Sequence, residues 1–171
     1  MKNIHVKTKN LTKIAIMSSL ICIATYLFKI PSINGYTHLG DCMIFISVLI
    51  LGWKKGALAG GIGGALADFL GGYMQWVLPT FIIKICMGVI MGLMAERLFP
   101  KLKYGWLIGA FVGGAFQVAA YTLVKIPLAG WGYAISSFPT VTMQTISSIV
   151  IAFILGSTLL ASGTIKKLKE I

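Results

Sequence analysis

Apolar residues run along this chain in long stretches, separated by short clusters of Lys, Gly, Pro, Tyr and Trp. Six stretches stand out, at about Leu11–Phe28, Leu39–Trp53, Gly56–Gly72, Val77–Leu98, Tyr104–Val124 and Phe138–Ser162. A straight helical crossing of a bilayer takes about 20 residues. The second and third stretches fall short, which predicts tilted spans or spans partly covered by a loop. The pattern predicts an all-α polytopic membrane protein, a bundle of six transmembrane helices forming one integral membrane domain over residues 1–171. The first stretch has the basic start and apolar run of a signal peptide, but no small-residue cleavage site precedes Pro31 and further spans follow, so it reads as a first transmembrane helix.

Charge fixes the expected orientation. Lys2, Lys7, Lys9 and Lys13 precede the first span, and Lys54 and Lys55 lie between the second and third. Arg97, Lys101 and Lys103 lie between the fourth and fifth, and Lys166, Lys167 and Lys169 follow the sixth. Every other junction is therefore basic, which places both termini in the cytoplasm. The exceptions, Lys29, Lys84 and Lys125, fall at or near the outer ends of spans. Three outer connections remain: KIPSINGYTH, GGYMQW and KIPLAGWGYAISS. Composition agrees, with 57% hydrophobic and 11% charged residues, against about 25% charged in soluble domains. The net charge of +11 raises nucleic acid as a partner, but the lysines sit where membrane topology requires them, which excludes that reading.

Small residues pattern the spans. Ala57, Gly61, Gly64, Asp68 and Gly71 keep to one helix face, so Asp68 continues a stripe that points at other helices. Gly105, Gly109, Gly113, Gln117, Tyr121 and Lys125 recur every four residues, glycine at the inner half and polar at the outer half. Such a row drifts about 40° around the helix per step. Thr80, Lys84, Gly88 and Gly92 repeat the design, as do Gln144, Ser148, Ala152 and Gly156. The gradient predicts a bundle packed shut towards the cytoplasm, with a polar cavity open outwards.

Each candidate polar group has a plainer alternative. Asp68 and Lys84 either bind a solute or pair with each other between the third and fourth spans. Asp41 either contributes to a site or caps its helix, and His38 is either a site residue or an exposed loop histidine. Gln117, Tyr121 and Gln144 are candidate ligand contacts or interhelical hydrogen-bonding groups. Tyr73, Trp76, Trp131 and Tyr133 are stacking platforms or interface anchors. Together the set suits a flat, polar, heteroaromatic solute. Cys22, Cys42 and Cys86 lie in separate spans without metal-ligand spacing and read as buried apolar residues, with no metal site expected. The run GGIGGALAD lacks the preceding strand and following Lys-Ser/Thr of a phosphate loop, and no hydrolase or metalloprotease motif is present. No enzyme, no cofactor and no intrinsic ATPase is expected.

In order along the chain, YTHLGD, LGWKKGALAGGIGGALADFLGGY and WVLPTFIIKICMGVIMG resemble the substrate-binding S component of energy-coupling factor (ECF) vitamin transporters, of the riboflavin-type or hydroxymethylpyrimidine/pyridoxine-type branch. The resemblance spans about residues 11–160 and is most specific from Tyr36 to Gly92. It implies a six-helix fold with an outward-facing vitamin site, a first outer loop acting as a lid, and partnership with a transmembrane coupling subunit and two cytoplasmic ABC-type ATPases. It implies binding roles for the loop around His38 and Asp41, for Asp68, Tyr73 and Lys84, and for the outer ends of the fifth and sixth helices. The family's small-xxx-small docking element on the first helix has its nearest match at Ala15 and Ser19, where the second alanine is a serine. The expected function is capture of a small vitamin or precursor, pyridoxine or hydroxymethylpyrimidine before riboflavin, at a bacterial cytoplasmic membrane. The rivals are a stand-alone proton-coupled transporter using Asp68, an intramembrane enzyme using Asp68, His38 or Asp41, and a structural subunit without ligand.

Overall fold

A computed structural model describes residues 2–32 and 35–170. The backbone is almost entirely helical, as expected where hydrocarbon offers no partner for a free amide or carbonyl. Helix α1 (Lys2–Leu27) leads into a short antiparallel hairpin, β1 (Lys29–Ser32) and β2 (Gly35–His38), in which Lys29 pairs with His38 and Ser32 with Gly35. There follow α2 (Gly40–Leu70), α3 (Met74–Leu93), a π-helical turn (Met94–Leu98), α4 (Gly105–Ala161) and a short α5 (Thr164–Glu170). Among the described residues four stretches are long and apolar enough to cross a membrane: Val6–Leu27, Gly40–Leu70, Met74–Leu98 and Gly105–Ala161.

Two of these are not single rods. Gly52 within α2 has φ 81° and ψ 168°, and Gly130 within α4 has φ 83° and ψ 167°. That region of backbone space is essentially closed to residues with a Cβ. Both glycines precede a tryptophan, Trp53 and Trp131. The chain doubles back at each. Across Gly52, the Ser47 hydroxyl donates to the Gly56 carbonyl at 2.9 Å, and Gly60 lies against Ile44. Across Gly130, Lys125 meets Ser137, Gln117 meets Thr145, and Gly156 lies against the Trp106 ring. A continuous helix would hold Trp106 and Gly156 about 75 Å apart. Each of α2 and α4 is thus a pair of antiparallel arms, 40–51 with 53–70 and 105–129 with 131–161. The sequence predicts an outer loop over KIPLAGWGYAISS; the structure replaces it with helix on both sides of one glycine. It likewise builds the first outer connection as a β-hairpin.

Glycine lets the arms approach to backbone contact. A Cβ on Gly88 would lie 2.9 Å from the Ala57 Cα, one on Gly61 2.9 Å from the Phe81 carbonyl oxygen, and one on Gly109 2.5 Å from the Met91 carbonyl oxygen. Gly64 faces Thr80 and Lys84, so the stripe predicted from Ala57 onward packs along α3. The same arm uses Gly63 against Ser18 and Ile21 of α1. Between these contacts sits a core of Ile21, Ile44, Phe45, Met87, Met91 and Trp106.

The two ends of the bundle differ. At one end Lys55 donates to Asn10 at 2.6 Å, Lys13 reaches the Leu168 carbonyl, and the Glu96 carboxylate on the π turn accepts the Trp53 N–H at 3.1 Å. Both chain ends and the Gly52 turn gather there, with most of the lysines. The opposite end carries the β-hairpin, the connection at 71–73 and the Gly130 turn.

The positive φ at Gly130 yields a direct test. Among the described residues, no atom beyond the local turn of backbone lies within 4 Å of a Cβ built at Gly130 or at Gly132. Gly130→Ala should therefore lose about 1–3 kcal/mol through backbone strain alone, read as a lower midpoint of unfolding in micelles. Gly132→Ala should leave the midpoint unchanged or slightly higher.

Candidate functional site

At the hairpin end, polar side chains from β2, α2, α3 and both arms of α4 converge. Asp41 lies in the first turn of α2, fully buried, and Lys84 lies mid-way along α3, also buried. The Lys84 ammonium donates to Asp41 Oδ1 and to Gln117 Oε1, each at 2.5 Å. Gln117 Nε2 donates to Asp41 Oδ2 at 2.8 Å and to the Thr145 hydroxyl at 2.9 Å. Thr145 in turn donates to the Val141 carbonyl. Both Nε2 protons of Gln117 and one lone pair of its Oε1 are thereby used, and the Lys84 ammonium at the oxygen and the Asp41 carboxylate at the nitrogen fix the amide's orientation. Gln144 Nε2 donates to Asp41 Oδ2 at 2.9 Å and faces His38 Nε2 at 3.3 Å.

His38 joins the network to the β-hairpin. Its Nδ1 accepts the Gly40 N–H at 3.2 Å. A neutral imidazole has one acceptor nitrogen, so the ring meets the Gly40 N–H at Nδ1 and the Gln144 amide at Nε2 with roles set by its tautomer. Above the network, Tyr121 donates to the Thr80 hydroxyl at 3.0 Å, its ring lies 5.2 Å from the Lys84 ammonium, and Trp76 stands 6.1 Å away at a tilt.

The geometry rules out three of the plainer alternatives. Lys84 pairs with Asp41 rather than Asp68. Asp41 does not cap α2, because Leu39 holds the cap position without a side-chain bond and the Asp41 carboxylate turns inward to Lys84, Gln117 and Gln144. His38 is buried rather than an exposed loop histidine. For Asp41 the larger need belongs to Lys84: a buried ammonium gains more from the carboxylate than a few peptide groups at a helix end do.

Of the predicted site residues, His38, Asp41, Lys84, Gln117, Tyr121 and Gln144 come together, with Trp76 beside Tyr121. Asp68 is buried on the second arm of α2, one turn beyond the Gly64 contact with Thr80 and Lys84. Tyr73 and Tyr133 are partly exposed, Tyr73 preceding α3 and Tyr133 in the second arm of α4. Ala15 and Ser19 lie on the exposed face of α1, away from this cluster, with Ile16, Leu20 and Ile23. Thr80 and Thr145 are network members that the sequence reading did not put in the site. Thr80 stands four residues before Lys84 and Thr145 next to Gln144, so spacing alone offered a signal. Among the described residues, no group of three His, Cys, Asp or Glu side chains is placed to hold a metal ion.

This arrangement lies within the region that known proteins share. The sequence profile of the ECF-type riboflavin transporter S component matches residues 5–161. The chain belongs to that family. It is 37% identical over 139 residues to a Pyrococcus woesei protein named "Uncharacterized protein in gap 3'region", covering 80% of this chain and 91% of that one. It is 26% identical over 165 residues to the "Thiamine precursor transporter HmpT" of Lactococcus lactis subsp. cremoris, covering 95% and 94% respectively. The family is one of transporter components rather than enzymes, and places the chain in membrane transport and vitamin uptake.

The Asp41–Lys84 pair generates a prediction about the family member itself. Removing one partner leaves the other buried without compensation, so Asp41→Asn and Lys84→Met should each cost about 3–5 kcal/mol. The double variant should cost less than their sum by up to about 3 kcal/mol. Unfolding of the four proteins in micelles gives the coupling; strict additivity would show that the two residues do not act as a unit.

Proposed function

We propose that this S component captures a small heteroaromatic vitamin or vitamin precursor from outside the cell and hands it to an ATP-driven partner module. The observation that carries the reading is the Asp41–Lys84–Gln117–Gln144 network, which gathers a carboxylate, an ammonium and two amides from three helices beside the Trp76 and Tyr121 rings. Such a set offers donors, acceptors and aromatic faces to a flat polar ring. A hydroxymethylpyrimidine- or pyridoxine-like ring is favoured, the Lactococcus relative being named for a thiamine precursor, and riboflavin follows, in keeping with the name of the family.

In this reading the arms of α2 and α4 each cross the membrane, giving six crossings with α1 and α3. The end bearing both chain termini, Lys55 and Lys13 faces the cytoplasm, at the cytoplasmic membrane of a bacterium or comparable cell. The β-hairpin then lies outside as the lid. It meets the network through the contact of His38 Nε2 with Gln144 Nε2 at 3.3 Å. The coupling subunit docks on the exposed face of α1 at Ala15 and Ser19, and the ATPases act through it.

Titration of the purified protein with hydroxymethylpyrimidine, pyridoxine, riboflavin and thiamine, followed by tryptophan fluorescence and calorimetry, tests the capture reading. One compound should bind saturably. Gln117→Ala and Gln144→Ala should each weaken it by about 1–3 kcal/mol, the cost of leaving a buried polar partner unsatisfied, while Tyr26→Phe on the exposed surface of α1 should not. No binding by any of the four would remove the vitamin assignment.

The docking reading has its own outcome. Ala15→Trp should block co-purification with the coupling subunit and abolish ATP-dependent uptake in vesicles, with solute affinity intact. Normal assembly of the Trp variant would move docking to another face.

A further inference from the structure

We infer that Lys125 and Ser137, at the hairpin end of the seam between the two arms of α4, form a binding position for an oxyanion, a phosphate or carboxylate carried by the captured solute. The inference rests on the capture reading above and names a chemical feature of what is captured.

Lys125 is buried, at 8% exposure, within the first arm of α4. Its ammonium donates to the Ser137 hydroxyl at 2.8 Å and lies 5.9 Å from the centre of the Tyr133 ring. Ser137 is fully buried and donates its own proton to the Ala134 carbonyl at 3.1 Å, so its oxygen is turned towards Lys125 as an acceptor. An ammonium has three protons to place. One goes to a neutral hydroxyl and the ring face attracts the charge only weakly. Among the described residues no carboxylate makes an ion pair with Lys125: Asp41 is taken by Lys84, Glu96 sits at the far end on the Trp53 N–H, and Asp68 is on the second arm of α2, one turn beyond the Gly64 contact with Thr80 and Lys84. The two buried lysines of α3 and α4 thus contrast. Lys84 has its carboxylate at 2.5 Å, whereas Lys125 has only neutral partners. A buried cation held by neutral groups is costly in a membrane protein and marks a place where an anion is expected to enter.

Position argues that the anion belongs to the solute. Lys125–Ser137 and Gln117–Thr145 are successive rungs of one seam, with Trp106 against Gly156 at its other end. Lys125 stands two turns beyond Gln117, about 12 Å along the helix, with Tyr121 between them. A ring seated by Tyr121 and the amides would direct a substituent along the seam to Lys125. A lysine serving only as an interface anchor extends its charge into the headgroups; this one is turned inward onto Ser137.

The test compares matched neutral and anionic probes by calorimetry on the full chain: hydroxymethylpyrimidine against its phosphate ester, and riboflavin against its 5′-phosphate. The phosphate ester of the preferred ring should bind at least tenfold more tightly than the neutral compound. Lys125→Gln should erase that preference and leave the affinity for the neutral compound within about twofold, and Lys125→Arg should retain it. Equal or weaker binding of the ester to the unaltered protein overturns the inference without any variant being needed, and leaves capture of the neutral ring standing. An equal loss for both probes in Lys125→Gln, with Lys125→Arg equally weak, also overturns it and assigns Lys125 to packing. The same titrations in nanodiscs of zwitterionic lipid, with and without phosphatidylglycerol, separate the two sources of phosphate. A preference unchanged by the anionic lipid supports the solute; a preference that the anionic lipid abolishes shows that a headgroup takes the site and overturns the assignment. Failure of every probe to bind removes the capture reading and this inference with it.

Discussion

The arrangement turns on one buried carboxylate. Asp41 is fully buried and receives Lys84, Gln117 and Gln144, so α2, α3 and both arms of α4 are tied to a single side chain. Neither member of the Asp41–Lys84 pair is tolerable alone in a low-dielectric interior, and the pair repays its desolvation only if the remaining lone pairs and protons are also met. Gln117 does that work, accepting from Lys84 and donating to Asp41, and Thr145 takes its second proton. The demand for these partners sets the rotation of four helical segments, the first arm of α2, α3 and both arms of α4, about their axes.

Such a network needs close helices, and the glycines supply them. In a bilayer no hydrophobic force draws apolar helices together, so contact depends on surfaces that approach to van der Waals distance. Gly61, Gly88 and Gly109 bring backbones to within a side chain's width, which a Cβ would prevent. The same residue type makes the two reversals possible, because Gly52 and Gly130 adopt angles that other residues avoid. Glycine therefore acts twice, as spacer between arms and as the corner that makes arms from one long apolar run.

The all-α, membrane-spanning character, the small-residue stripe and the approach of His38, Asp41, Lys84, Gln117 and Gln144 to one another were legible in the sequence, because apolar length and i, i+4 rows are one-dimensional signals. The pairing was not. Asp68 is as plausible a partner for Lys84 as Asp41 when only the order of spans is known, since the choice depends on how the first turn of α2 is rotated against α3. The reversal at Gly130 was hidden for a different reason: Pro, Gly, Trp and Tyr over residues 125–137 look like a loop, and helix on both sides of a single glycine reads the same way. Lys125 shows the remaining gap. At the outer end of a span it reads as an interface lysine, and only the register across the turn shows it aimed at Ser137.

The network's completeness has a consequence for binding. Its carboxylate, ammonium and amides are now one another's partners, so a solute gains from them only by offering better-placed donors and acceptors than those it displaces. Affinity then depends on the difference between two satisfied states, and specificity on which ring reproduces the displaced bonds. A neutral compound lacking one of those groups would strand a buried amide or charge, which penalises it far more than a missing methylene would. The point of entry follows from the same accounting. The glycine-packed half is fixed by close backbone contacts, whereas the hairpin meets the network through side chains, His38 against Gln144 at 3.3 Å. Any movement that admits a solute is then expected at the hairpin end rather than in the glycine-packed half.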